Sequence, residues 1–261
     1  MLETLHAEKH QIDKNAPWLI LLHGLFGSLD NLAVVKRHFA SSYNILNIDL
    51  PDHGGSLKLD HFSFKLWVDL LASTLTAHQI ETCYVLGHSL GGKLAMQLAL
   101  AMPDRVKGLI VADIAPVRYP PRHRQVFQGL NNVELTQITT RKAAEKQLAV
   151  YIPEVGVRQF LLKSLVQDDD KRWQWRFNLQ NLIAHYDDIC DWPASQQSYL
   201  GPTLFIKGAL SDYLTLKHQT QVLQYFPNSS AKVLQGAGHW LHAEKPQAFN
   251  RSVEHFLEQQ V

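Results

Sequence analysis

The sequence has few cysteines, no excess of either charge and no long apolar run, and each of these shortages excludes a class of protein. Its 261 residues include two cysteines, Cys83 and Cys190, which are too few for a disulfide framework. The 25 basic and 24 acidic side chains give a net charge of +1, so nucleic acid and anionic membranes are not expected partners. Residues 1–9 are too charged for a signal peptide, and the apolar run at 18–22 is too short to span a bilayer. We therefore expect a soluble, cytoplasmic protein.

Metal ligands in a usual spacing are also missing, although the chain has 14 histidines. The histidines are scattered, and His239 and His242 come closest to a metal-binding spacing. We therefore expect no metal and no cofactor. The expected partner is a small-molecule substrate, bound by a monomer or a small homo-oligomer.

Short apolar runs alternate with helical patterns along most of the chain. Apolar runs with little polar alternation are typical of strands that are covered on both faces. The alternation predicts an α/β fold with a mostly parallel sheet and helices on both faces. The first twelve or so residues are expected to add one or two edge strands. The predicted strands are 19–22, 43–49, 82–87, 106–113, 202–208 and 231–234, and the predicted helices are 31–40, 64–78, 90–101, 215–226 and 246–259.

Residues 116–199 interrupt this alternation, because they contain no run that predicts a buried strand. We predict that residues 1–115 and 200–261 form the core and that 116–199 form an all-helical cap over one end of the sheet. Two ordinary long crossovers are the alternative, which is disfavoured because compact crossovers rarely need so many residues. The predicted helices of this segment are 125–131, 141–151, 155–165 and 175–186, and a solvated turn is predicted at the acidic residues 168–170.

The sequence Gly-His-Ser-Leu-Gly-Gly at 87–92 places a serine between a predicted strand and a predicted helix. A sharp strand-to-helix turn exposes the hydroxyl of a nucleophilic serine, and the flanking glycines remove side chains that would clash. The bare pattern arises by chance in roughly a tenth of chains of this length, so its context carries the prediction. Ser89 is the candidate nucleophile, and the alternative is an ordinary serine in a glycine-rich turn.

Acyl transfer also requires hydrogen-bond donors for the negative oxygen that develops during the reaction. One donor should be the backbone N–H of Leu90, directly after the serine. The loop at 23–28, His-Gly-Leu-Phe-Gly-Ser, follows an earlier predicted strand, and its glycines allow close approach of the backbone to a ligand. We expect the N–H of Leu25 to be the second donor, with the N–H of Phe26 as the neighbouring possibility.

A nucleophilic serine needs a base, and the base needs an acid that orients it. His239 lies between the last predicted strand and the last predicted helix, and is the candidate base. His242 is nearer the helix and is expected to pack or to face solvent. Asp113 and Asp212 each come at the end of a predicted strand, and the residues alone do not separate them as candidates for the acid.

Together these residues resemble the α/β-hydrolase superfamily over nearly the whole chain. The motifs at 23–31, 87–93, 113–116 and 238–246 are similar to those of YbfF-like bacterial esterases and of mammalian abhydrolase-domain-11 proteins. Many superfamily members carry the acid in a Gly-x-x-Asp pattern, where this chain has Ser211 and Asp212 comes one residue late. The YbfF-like group lacks an aspartate at that position, so the resemblance favours Asp113.

The resemblance implies a carboxylesterase, with acyl thioesters as related substrates. Phe26 and Trp240 are expected to contact the substrate. A lyase similar to the menaquinone-pathway synthase and a non-catalytic binding module are the alternatives. Epoxide hydrolases and haloalkane dehalogenases have an aspartate in place of Ser89 and are disfavoured. Large apolar residues of the cap would suit an acyl chain, although most are expected to form the core of the cap: Phe127, Leu130, Tyr151, Phe160, Trp173 and Trp175.

Overall fold

A mostly parallel sheet of seven strands forms the centre of the molecule in the computed structural model, which describes residues 3–260. Numbered in chain order, its strands are β1 (Ala7–His10), β2 (Trp18–Leu22), β3 (Asn44–Ile48), β4 (Cys83–His88), β5 (Val106–Ala112), β8 (Thr203–Gly208) and β9 (Ser229–Leu234). Their order across the sheet is β1-β3-β2-β4-β5-β8-β9. Strand β1 is the antiparallel edge strand, and the other neighbours are parallel. The predicted α/β fold is confirmed.

Helices cover both faces of the sheet. They are α1 (Ala33–Phe39), α2 (Phe64–Ala77), α3 (Leu90–Ala101), α9 (Gln219–Tyr225), α10 (Leu241–Glu244) and α11 (Pro246–Glu258), with 3₁₀ turns at Leu29–Leu32, Pro103–Arg105 and Leu216–His218. Leu19 and Leu21 of β2 lie in a buried cluster with residues of α1 and α11. Ile20 and Leu22 lie in a second cluster with residues of α2 and α3. Because both faces are buried, residues 19–22 show no polar alternation.

Residues 116–199, called the insert below, connect β5 to β8. The insert contains α4 (Arg124–Asn131), α5 (Arg141–Leu148), α6 (Val155–Leu162), α7 (Leu179–Ala184) and α8 (Tyr186–Cys190). The expectation of an all-helical segment is wrong, because β6 (Leu165–Gln167) and β7 (Trp173–Trp175) form an antiparallel hairpin. The predicted helices 155–165 and 175–186 are therefore too long where they meet the hairpin.

The hairpin turn contains the acidic run 168–170. The Asp168 carboxylate accepts hydrogen bonds from the N–H groups of Asp170 and Arg172, at 3.0 and 2.9 Å. Such short-range bonds from an aspartate stabilise a tight turn in preference to a helix. On the following strand, the ring of Trp175 is buried and stacks on Phe177 with a centroid separation of 5.5 Å.

Polar contacts fasten the insert to the core near the carboxyl end of the sheet. Lys93 Nζ, on α3, donates to the backbone carbonyls of residues 189–191 at 2.7 to 3.3 Å. Ser164 Oγ donates to the backbone carbonyl of Phe26 at 3.0 Å. These contacts hold the insert beside the loops that contain the candidate nucleophile and the candidate oxyanion donors.

No helix within residues 3–260 combines the length and the apolar character that a membrane span requires.

Candidate active site

Ser89 lies at the turn between β4 and α3, with a φ of 52° and a ψ of −117°. A side chain at Gly87 would meet the backbone oxygen of Gly91 at 2.2 Å. A side chain at Gly91 would meet the backbone oxygen of Leu22 at 2.3 Å. Both glycines are therefore required by close backbone approach, and the turn projects Ser89 from the end of the strand.

His239 contacts both Ser89 and Asp113. Its Nε2 lies 3.0 Å from Ser89 Oγ, and its Nδ1 lies 2.7 Å from Asp113 Oδ2. The loop that carries His239 follows β9, and Glu244 Oε2 stabilises it by accepting the N–H of Gly238 at 2.6 Å. The imidazole side chain is 22% exposed, whereas the Asp113 side chain is completely buried. This arrangement lets Nε2 exchange a proton with the serine while Nδ1–H donates to the carboxylate.

Asp212 does not share this arrangement. Its carboxylate accepts a hydrogen bond from Arg122 Nη1 at 2.5 Å, and its side chain is 73% exposed. The bond with Arg122 is the main cause that lowers the pKa of Asp212. The structure therefore brings Asp113, and not Asp212, to the imidazole.

Ser211 is a part of the site that sequence reasoning did not assign. Its hydroxyl donates to Asp113 Oδ2, and the N–H of Gly208 donates to Asp113 Oδ1 at 3.1 Å. Together with His239, these groups give the buried carboxylate three hydrogen-bond donors. The sequence contained a sign that Ser211 belongs to the site, because Ser211 occupies the position at which many α/β hydrolases carry their acid.

The two expected oxyanion donors, Leu25 and Leu90, border the same cavity as Ser89. The alternative donor is already engaged, because the N–H of Phe26 donates to His53 Nε2 at 3.1 Å. The His53 Nδ1 proton is donated to the carbonyl of Pro51 at 2.8 Å, which leaves Nε2 as an acceptor. Burial lowers the pKa of His53 to about 4, so the ring is neutral. Of the two candidates in this loop, the contacts favour Leu25.

His88, directly before the nucleophile, connects the serine turn to the histidine loop. Its Nε2–H donates to the backbone carbonyl of His239 at 2.8 Å. Burial, followed by the neighbouring histidines, holds the pKa of His88 well below its usual value. His242 packs edge-on against His88 with a ring separation of 4.5 Å and is buried, so of its two expected positions, packed or facing solvent, it takes the packed one. Sequence reasoning noted His88 as part of the motif but assigned it no contact.

An aromatic ring lies on the face of the His239 imidazole. The Tyr213 ring stacks on it with a centroid separation of 3.9 Å and an interplanar angle of 19°. The Arg122 guanidinium lies 4.8 Å from the centre of the same Tyr213 ring. The Tyr213 backbone carbonyl accepts a hydrogen bond from the hydroxyl of Tyr119. Hydrogen bonds therefore orient the imidazole within its plane, and Tyr213 limits its movement out of that plane.

Two cavities meet at Ser89. The smaller has a volume of about 50 Å³ and lies beside Leu25 and Leu90. The larger has a volume of about 460 Å³ and has His239 in its wall. Phe26 and Trp240, the expected substrate contacts, both line the larger cavity.

Most of the large apolar residues that were expected to suit an acyl chain pack in the core and do not line a cavity at Ser89. Phe160 lines the larger cavity and lies 5.5 Å from Trp240, measured between ring centroids. Phe127, Leu130 and Trp175 are buried in the core. Tyr151 and Trp173 are partly buried and pack against the same core.

Comparison with known proteins identifies the family. A family model described as the alpha/beta hydrolase fold matches residues 17–246. The chain belongs to the α/β-hydrolase family. Within residues 3–260, no three histidine, cysteine or acidic side chains are grouped in a way that could hold a metal ion.

Relatives of this hydrolase include proteins named for ester cleavage. Esterase YbfF of Escherichia coli K12 is 38% identical over 97% of this chain and 98% of its own length. The mouse sn-1-specific diacylglycerol lipase ABHD11 is 38% identical over 94% of this chain and 82% of its own length. A solved structure described as a marine microorganism esterase is 33% identical, with a TM-score of 0.94 over 97% of this chain and 99% of the other.

Proposed function

We propose that the protein is a serine hydrolase that cleaves carboxylic esters. The observation that carries the proposal is the chain of hydrogen bonds from Asp113 through His239 to Ser89, at 2.7 and 3.0 Å. The relatives named as esterases and as a lipase support an ester bond as the target. The acyl group is transferred first to Ser89 and then to water.

In the first half of the reaction, His239 Nε2 removes the proton of Ser89 Oγ, and the oxygen attacks the ester carbonyl carbon. The N–H groups of Leu25 and Leu90 donate to the negative oxygen of the tetrahedral intermediate. His239 then gives the proton to the departing alcohol oxygen, and the acyl-enzyme remains. Asp113 stabilises the imidazolium that exists between these two proton transfers.

In the second half, water takes the place of the alcohol. His239 removes a proton from the water, which attacks the acyl carbonyl carbon and forms a second tetrahedral intermediate. The intermediate releases the carboxylic acid, and the proton returns to Ser89 Oγ. The insert is proposed to act as a cap, because residues of α4 and α6 form part of the wall around the reacting serine.

Replacement of the nucleophile tests the proposal directly. We expect Ser89→Ala to lower kcat for p-nitrophenyl butyrate by at least about a thousandfold, since the acyl-enzyme cannot form. The matched control is Ser41→Ala, an exposed serine in the turn before β3, which should retain the parental rate. A fluorophosphonate should add one phosphonyl group to the parent protein and none to Ser89→Ala, as measured by intact mass. Parental turnover by Ser89→Ala would reject the proposal.

A further inference from the structure

The two cavities that meet at Ser89 differ in size and in wall chemistry. We infer that the preferred ester has a short acyl group and a larger alcohol without phosphate groups. This inference rests on the proposed function, since it assigns the two halves of an ester to the two cavities.

The position of His239 decides which half enters which cavity. His239 must give its proton to the departing oxygen, so the alcohol has to lie on the side to which the imidazole is open. Among the described residues, His239 lines the larger cavity and is absent from the wall of the smaller one. Ser89 and Leu25 border both cavities, so the carbonyl lies where the two meet, and Leu90 borders the smaller cavity. The acyl chain therefore extends into the smaller cavity.

The volume of the smaller cavity limits the acyl chain. Its volume is about 50 Å³, against about 460 Å³ for the larger cavity on the same measure, so the acyl group is the smaller half of the ester. Ile114, Tyr119 and Ile189 form part of its walls, and all three side chains are buried. Tyr119 is fixed in addition by the N–H of Ala115, which donates to its hydroxyl at 2.9 Å. A longer chain would have to displace packed residues.

The larger cavity has room for the alcohol. At about 460 Å³ it falls within the usual range of small-molecule sites, roughly 300–1,000 Å³. The Phe160 and Trp240 rings form an apolar part of its wall. Lys163 is the one lysine or arginine among the described residues of this wall, which also contains the two acidic residues Asp30 and Glu244. A phosphate-bearing leaving group such as coenzyme A would need several cationic partners, so a neutral, partly apolar alcohol fits better.

Two substrate series test the two halves separately. With p-nitrophenol as the constant leaving group, we expect kcat/KM for the acetate and the butyrate to exceed that for the octanoate by at least about tenfold. With acetate as the constant acyl group, we expect 2-naphthyl acetate to be cleaved at least as efficiently as phenyl acetate. Acetyl-coenzyme A should be cleaved at least about tenfold less efficiently than 2-naphthyl acetate.

Two substitutions of one wall residue move the acyl limit in opposite directions. Ile189→Ala enlarges the smaller cavity and should raise the ratio of octanoate to butyrate kcat/KM by about tenfold. Ile189→Phe narrows it and should lower butyrate relative to acetate. Ile183→Ala, a partly exposed residue of α7 outside both cavities, is the matched control and should keep the parental ratios. Titration with the fluorophosphonate counts folded, reactive sites in every variant.

The outcomes separate this inference from the proposed function. Octanoate cleavage equal to or better than butyrate cleavage, or parental ratios in both Ile189 variants, would overturn the acyl assignment while Ser89-dependent ester turnover remained. Efficient cleavage of acetyl-coenzyme A would overturn the alcohol assignment alone. If no ester shows Ser89-dependent turnover, the proposed function itself fails.

Discussion

Asp113 has an unusual backbone conformation and a crowded set of hydrogen-bond partners. Its φ is 54°, a value that residues other than glycine rarely adopt. Its N–H donates to the carbonyl of Ile206 on the neighbouring strand at 2.8 Å. Its carboxylate accepts from His239, Ser211 and the Gly208 N–H. Strain of this kind persists where several contacts hold a residue, and it often marks a functional site.

At the residue scale, replacement of the two aspartates should separate their roles. We expect Asp113→Asn to lower kcat for p-nitrophenyl butyrate by about a thousandfold or more, because an amide cannot stabilise the imidazolium of His239. Asp212→Asn removes only an exposed ion pair with Arg122 and should stay within about threefold of the parent. Steady-state kinetics with active-site titration measures both. An equal loss in the two variants would contradict the assignment.

Lys93 shows how a single element connects the core to the insert. It lies on α3, one turn beyond Ser89, and its side chain is buried. Its Nζ donates to the carbonyls of residues 189–191, at and just after the end of α8. Burial lowers the pKa of Lys93 to about 8. A cation at a helix C-terminus satisfies carbonyls that have no partner within the helix.

At the element scale, we therefore expect Lys93→Met to destabilise the protein. Methionine keeps most of the apolar side chain but removes the donors, so the carbonyls of residues 189–191 lose their hydrogen bonds to Lys93, and among the described residues only the Cys190 carbonyl keeps a second donor, the N–H of Tyr119. The expected decrease in the free energy of unfolding is about 1–3 kcal/mol, measured by urea unfolding followed by tryptophan fluorescence. Lys65→Met, at a highly exposed lysine of α2, should change it by less than about 0.5 kcal/mol. Equal midpoints for the two variants would refute the anchoring role.

Several histidines of the molecule are buried as neutral imidazole rings. Burial lowers the pKa of His53 and His242 to about 4, and it also lowers the pKa of His23 and His88. In the unfolded chain these rings titrate near pH 6.5. Below that pH the unfolded state therefore binds more protons than the folded state. The contribution of these neutral rings to the free energy of unfolding is fully present above about pH 6.5 and is lost as the pH falls towards the folded-state pKa values.

At the scale of the whole molecule, the urea midpoint should fall as the pH is lowered from 7 to 5. Replacing one buried ring should reduce this fall, and His242 is suitable because its Nδ1 has no hydrogen-bond partner among the described residues. We expect a shallower pH dependence in His242→Leu than in the parent. His61→Leu, at an exposed position, should keep the parental dependence. A parental slope in His242→Leu would exclude this histidine as a source of the acid sensitivity.

The parts of the fold that depend on near neighbours were predictable from the sequence. Buried strands have continuous apolar runs, and the predicted run 19–22 lies within β2. The sharp turn at Ser89 is encoded by Gly87 and Gly91, because only glycine tolerates the backbone approach that the turn requires. The position of His239 was also predictable, because the alternation of strands and helices puts its loop directly after the last strand of the sheet. The hairpin within 165–175 was missed. Its turn is stabilised by hydrogen bonds to the Asp168 carboxylate, and the spacing of apolar residues along the chain gives no indication of such bonds.

The partners of these residues were decided by tertiary structure. Asp113 and Asp212 are equivalent in the sequence pattern, and the parallel register of β5 against β8, which pairs Ala112 with Ile206, places Asp113 beside Gly208 and Ser211. Asp212 is drawn instead to Arg122, a residue of the insert. The choice between Leu25 and Phe26, and the unequal cavities at Ser89, likewise depend on contacts between segments distant in the chain. The sequence by itself therefore determined the buried parallel strands of the core, the nucleophile turn and the candidate base, because local backbone sterics and burial encode them. Only the tertiary structure decided which acid reaches the base and how much space lies on each side of the serine, because strand register and side-chain packing set both.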